Sequence, residues 1–144
     1  LTALVSAGAS SAPTMLAVPV VRATGRATAQ TAAVASVSTY TVGASDGSFI
    51  VSANILITTA TNFSFTTTVA YTDEGSTART ATLSFSRLTG AIITTPDDTM
   101  GAVPHMGIPL HIRCKAATTI TIATVAGNFT TVTYNVEGLI VQDA

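Results

Sequence analysis

The sequence predicts an all-β protein: an antiparallel β-sandwich, a jelly roll of about eight strands, behind an extended N-terminal arm. Three observations predict it. From about Thr39 onward, Thr and Ser alternate with Val, Ile, Leu and Phe, as in Phe49-Val51-Ala53-Ile55-Ile57 and Phe65-Thr67-Val69-Tyr71. A period of two places alternate side chains on one buried face. Turn signals separate these rows at short intervals, and the long connection at residues 96–107 suits a crossover between sheets better than a plain meander. An immunoglobulin-like sandwich is the second candidate. With one Cys and no Trp, its Cys…Trp…Cys signature is missing.

Residues 1–29 stand apart. They are small and apolar, are broken by Gly8, Pro13, Pro19 and Gly25, and follow neither a helical nor a strand period. They are expected to form an extended arm that docks on a neighbouring subunit or a larger scaffold, or a linker to a further domain. The sandwich is expected to occupy residues 30–144. Leu1 is not a start methionine, so the chain is expected to be processed or to begin inside a longer product. Its opening lacks the basic start of a signal peptide.

Thr31–Val37 and Thr39–Val42 read as a short broken pair of strands. Asp46-Gly47 supplies the positive φ of a tight turn. Ser48–Thr59 reads as the longest strand, with a break at Thr61-Asn62 before Ser64–Thr72. Asp73-Glu74-Gly75-Ser76 is a second turn, and Thr77–Arg87 returns as a hairpin. Ala91–Thr94 is a short strand and Pro96–Gly107 a loop. Ile108–Lys115 and Thr118–Thr124 follow, Ala126-Gly127-Asn128 turns the chain, and Phe129–Val141 closes the domain.

Charge is scarce. Charged residues make up 9 % of the 144-residue chain, against roughly 25 % in ordinary soluble proteins. Thr supplies about one residue in five, and the mean hydropathy is +0.53. Soluble monomers normally keep a charged surface, so much of this surface is expected to be covered by copies of the chain or by partners. The net charge of −1 gives no field that would steer it to nucleic acid or anionic lipid. No apolar run is long enough for a membrane span.

The chemistry-bearing residues form few constellations. His111, Arg113 and Lys115 alternate along one strand opposite Ile112 and Cys114. They suit an acidic partner surface or a sugar acid, or are answered by Glu137 or an Asp on a neighbouring strand or subunit. Asp73-Glu74 and Asp97-Asp98 lack the spacing of a calcium loop. His105 and His111 do not make a zinc pattern, and Cys114 falls on an apolar face as a buried thiol. Asp97, Asp98 and Glu137 could pair as glycosidase carboxylates, but aromatic sugar platforms are few. No nucleophile elbow or phosphate loop occurs. No cofactor, metal or catalytic residue is expected, and Tyr40, Tyr71 and Tyr134 read as core or sheet-edge rings.

Three stretches, Ala70–Thr80, Pro109–Ile122 with its His-Ile-Arg-Cys-Lys run, and Phe129–Gly138, together resemble a domain of tailed-bacteriophage structural proteins. The resemblance covers roughly residues 30–142. It implies a jelly-roll module that trimerises and decorates capsids, projects as a head fibre or tips a tail appendage. The expected function is therefore a homotrimeric capsid decoration or cement protein of the virion. Its partner would be a major capsid protein or another virion structural protein, with no nucleic acid and no membrane. The expected partner-binding residues are Leu4, Val5, Met15, Leu16, Val18, Val20, Val21, Arg22 and Arg26 of the arm, with His111, Arg113 and Lys115. A second expectation is a tail or fibre domain whose loops 44–47, 73–76 and 96–107 hold a host glycan.

Overall fold

Two long strands organise the molecule. In the computed structural model, which describes residues 18–86, 92–93 and 104–143, β3 (Gly47–Thr72) has 26 residues and β9 (Thr119–Gln142) has 24. They pair antiparallel from Phe49 opposite Gln142 to Ala70 opposite Thr121. A straight strand of that length would span roughly 85 Å. This one folds back on itself, because a Cβ placed on Gly138 would lie 3.3 Å from Ile122 of the same strand. The Tyr134 hydroxyl likewise shares a hydrogen bond of 2.8 Å with Thr124 Oγ1.

Both strands bend together, and each contributes a bulge. The register shifts between Ile57 and Thr59, where Thr58 is the extra residue and donates to the Thr133 carbonyl at 3.0 Å, and again between Ser64 and Phe65. An extra residue in one strand increases local twist and bends the ribbon. The predicted break at Thr61-Asn62 and turn at Ala126-Gly127-Asn128 therefore do not end strands. They fall where the paired ribbon folds over.

Folding the ribbon makes two layers. In the first, β1 (Val20–Gln30) pairs with the C-terminal half of β9, which pairs with the N-terminal half of β3, which pairs with β8 (Leu110–Cys114). In the second, β2 (Ser38–Thr41) pairs with the N-terminal half of β9, which pairs with the C-terminal half of β3, which pairs with β4 (Ala78–Thr82). Four strand segments per layer in this order, joined by a ribbon common to both, is the jelly-roll topology. The short β5 (Phe85–Ser86) and β6 (Ile92–Ile93) join β7 (Pro104–Gly107), which lies beside Ile55 and Leu56 of β3. Among the described residues every regular element is a strand.

The core lies between the layers. Phe49, Val51, Ala53, Ile55 and Ile57 of β3 are buried, as are Val132, Tyr134, Val136 and Ile140 of β9. Val69, Ile120 and Ile122 meet them from the second layer. Burying each large aliphatic or aromatic side chain stabilises the fold by about 1.5–3 kcal/mol. The alternation read from the sequence is this inner face.

Several expected boundaries differ. Thr31–Val37, expected to be a strand, forms none and connects β1 to β2. Val20–Gln30, placed in the arm, is an edge strand of the sheet, so the structured domain begins before residue 30. Its inward positions are Ala23, Gly25 and Ala27 rather than large apolar residues, which hides the strand period. The smallness has a cause: Gly25 sits opposite Gly138, and a Cβ on Gly25 would lie 1.7 Å from the Val37 carbonyl oxygen. The chain entering β2 crosses the first layer over these two glycines. Pro104–Gly107, expected to be loop, is β7; the rest of the 96–107 segment lies outside the described residues.

Gly25→Ala is expected to destabilise by about 1–3 kcal/mol, because backbone fills the space. Gly43→Ala, where nothing lies within 4 Å, should change little; urea denaturation compares them, and equal effects would contradict the crossing. Thr67 Oγ1 is buried with no hydrogen-bond partner among the described residues. Thr67→Val should therefore raise stability by about 1 kcal/mol in the same assay, and a loss of that size would show that the hydroxyl is satisfied.

Candidate functional site

Most of the charged side chains among the described residues gather at one end of the sandwich. Three turns meet there: residues 43–46 between β2 and β3, 73–77 between β3 and β4, and 115–118 between β8 and β9. The Lys115 amide donates to the Thr72 carbonyl at 3.0 Å, and the Ala116 amide donates to Asp46 Oδ1 at 2.7 Å. These bonds hold the turns side by side.

The 73–77 turn is built around Asp73. Its carboxylate accepts from the Thr77 amide at 2.8 Å and from Arg79 Nε at 2.7 Å. Those two donors, the Thr77 amide foremost, hold the Asp73 carboxyl below the usual 3.8. Ser76 takes a positive φ of 66° at the tip, where the sequence offered Gly75.

The basic row on β8 is answered from within the chain. Glu74 Oε1 accepts from Arg113 Nε at 2.6 Å and lies 2.5 Å from Nη2. The Lys115 ammonium donates to Ser76 Oγ. His111 Nδ1 lies 3.5 Å from an Asp143 carboxylate oxygen. The expected counter-charge, Glu137, instead sits in register with Arg26 on one side and Asn54 on the other. Exposed pairs of this kind add little stability but fix the positions of their side chains. Of the alternatives read from the sequence, an Asp beside the strand is what answers His111, as Asp143; Glu74 and Ser76 were missed because they reach the row from a turn far from it in the chain.

The arm residues divide. Leu4, Val5, Met15 and Leu16 lie outside the described residues. Val18, Val20 and Val21 are exposed at 73 %, 43 % and 59 %. Arg22 Nε donates to Gln142 Oε1 at 2.8 Å, tying the start of β1 to the end of β9. Arg26 is exposed on the outer face of β1.

Cys114 is buried, and desolvation, with Glu74 nearby, pushes its thiol up to about 11, which leaves it un-ionised at neutral pH. His105 is buried on β7. Tyr134 is a core ring whose hydroxyl donates to the Ala32 carbonyl at 2.7 Å, and Tyr40 packs on Phe49 with centroids 5.7 Å apart. Among the described residues no group of three His, Cys, Asp or Glu could hold a metal ion. Asp97 and Asp98 lie outside them. No helix among the described residues is long and apolar enough to cross a membrane.

No family model matches the chain, and no curated protein matches it. Among solved structures it is similar to the SPBc2 prophage-derived protein YomS, at 14 % identity and a TM-score of 0.37, over 86 % of this chain and 95 % of that one. It is also similar to the CBM22-1–GH10 modules of Clostridium thermocellum xylanase 10B, at 12 % identity and a TM-score of 0.36, over 85 % of this chain and 28 % of that one. A third likeness is to the VP2 subviral particle of infectious bursal disease virus, at 10 % identity and a TM-score of 0.25, over 87 % of this chain and 38 % of that one. A prophage-derived protein, xylanase modules and a viral particle protein are thus among the structures it is similar to.

The depressed Asp73 carboxyl sets a pH dependence. A carboxyl whose folded pKa lies below its unfolded value contributes stability above the unfolded value and loses it as pH falls through the folded one. Wild-type urea midpoints should therefore fall more steeply below about pH 4 than those of Asp73→Asn. Parallel curves would show that the turn does not depend on the ionised carboxylate.

Proposed function

We propose that this chain is a structural component of a tailed-bacteriophage virion: a homotrimeric decoration protein of the head shell, attached to the major capsid protein through residues preceding β1. The observation that carries this reading is the state of the charges. In a chain with so few, the densest polar cluster is engaged with itself across three turns, which leaves a rigid end rather than a reactive one. The outer face of the second layer is largely hydroxyl and methyl, and a surface of that kind can be covered by protein without desolvating unpaired charges. Exposed Val18, Val20 and Val21 continue the apolar character of residues 1–17 up to the edge of the sheet. The phage-domain resemblance of the β3–β4, β8 and β9 segments points the same way.

The proposed attachment segment ends before β1. Because Val20–Gln30 belongs to the sheet, the truncation that separates attachment from folding removes residues 1–19 rather than 1–29. The truncated protein should keep the far-ultraviolet spectrum and urea midpoint of the sandwich yet fail to load onto capsids, as counted by quantitative mass spectrometry of purified virions. The full-length chain should be present in hundreds of copies. Full loading of the truncated protein would refute the attachment role, and a count of a few to a few dozen would move the protein to the tail or a fibre.

A further inference from the structure

The outward positions of the second layer carry no charge. One row crosses all four strands in register: Thr39 of β2, Thr121 of β9, Ala70 of β3 and Thr80 of β4. The next row contains Ala123 and Thr68. The remaining outward positions of these strands are Thr or Ala, with one Val. None of the charged residues described falls on this face. They lie at the turn end or on the first layer, whose outer side carries Arg26, Glu137, His111 and Arg113.

This segregation selects an occupant. On the axis of a trimer identical residues of the three copies approach one another, so a charged residue there meets its own like charge, while away from the axis unlike positions meet and a face of uniform composition serves both. Threonine has no such conflict. Its hydroxyl both donates and accepts, so a threonine surface can satisfy a copy of itself. The face offers no cation to nucleic acid or anionic lipid and no aromatic ring to a glycan. The first layer's outer face, with both signs of charge and exposed Leu56, is suited to a different partner.

We infer that the Thr/Ala face of the second layer is the surface through which copies of this chain meet, turned toward the axis of the homotrimer; this rests on the oligomer proposed above. Four strands spaced about 4.8 Å apart, over some six residues, give a face of roughly 20 Å by 20 Å. That is about half of the roughly 800 Å² per partner of a standard stable interface. Association through this face is therefore concentration-dependent.

Sedimentation velocity of the full chain over about 1–100 µM tests this. Three proteins are compared: wild type, the double variant Thr68→Glu/Thr121→Glu, and the control Ser52→Glu on the outer side of the first layer. The face variant should weaken association at least about tenfold while the control associates as wild type does. Circular dichroism checks that each is folded. If the face variant fails to fold, Thr121→Cys replaces it, and a short thiol-reactive cross-linker should join copies through that position, Cys114 being buried. An oligomer that survives both glutamates, or that the control disrupts instead, overturns this inference and leaves the oligomer standing. A wild type that is monomeric throughout overturns both.

Discussion

The pairing of β3 with β9 is the constraint on which the rest depends. These strands supply two central positions in each layer, so their common register sets the register of both. Because the side-chain period is two, a slip of one residue would turn the whole buried row outward. The two bulges decide where the ribbon folds, and the fold decides which halves face each other. The hydrogen bond between Tyr134 and Thr124, both on β9, closes the ribbon against itself, and Gly138 lets the layers approach where β2 begins. β1, β2, β4 and β8 then add to edges that the ribbon has already made.

The same topology sorts the chemistry. Turns leaving the ribbon at one end bring together Asp46, Asp73, Glu74, Arg79, Arg113 and Lys115 from distant parts of the chain, where Asp73 pairs with Arg79 and Glu74 with Arg113. The flat outer side of the second layer is left to threonine and alanine. A protein that binds by steering charged ligands would spread its charge differently. Here charge holds turns in place, and broad neutral faces are available for contact.

Much of this was legible in the alternation alone. The core rows, the 73–76 hairpin and the sandwich class follow from period and turn chemistry. The jelly-roll topology is settled by strand pairing, which periodicity does not report. β1 was hidden because its inward residues are Ala and Gly, chosen for a backbone crossing that only the folded chain reveals. The residues at 61–62 and 126–128 carry true break signals, but a bulged bend and a strand end use the same residues. The basic row on β8 was visible, while the particular residues that answer it were not, since nothing local links His111 to Asp143 or Arg113 to Glu74. The arm's apolar character was plain, and its boundary lay ten residues too late.

We propose a folded ribbon that presents a neutral face to copies of itself and a charged rim elsewhere, within a virion. Cryo-electron microscopy of the intact virion, at a resolution that traces strands, tests it most directly. Sandwiches in three-fold clusters on the head are expected, with the second layer against the axis and residues before β1 running into the shell. Clusters with the first layer against the axis, or a head surface that carries no such sandwich, would contradict it.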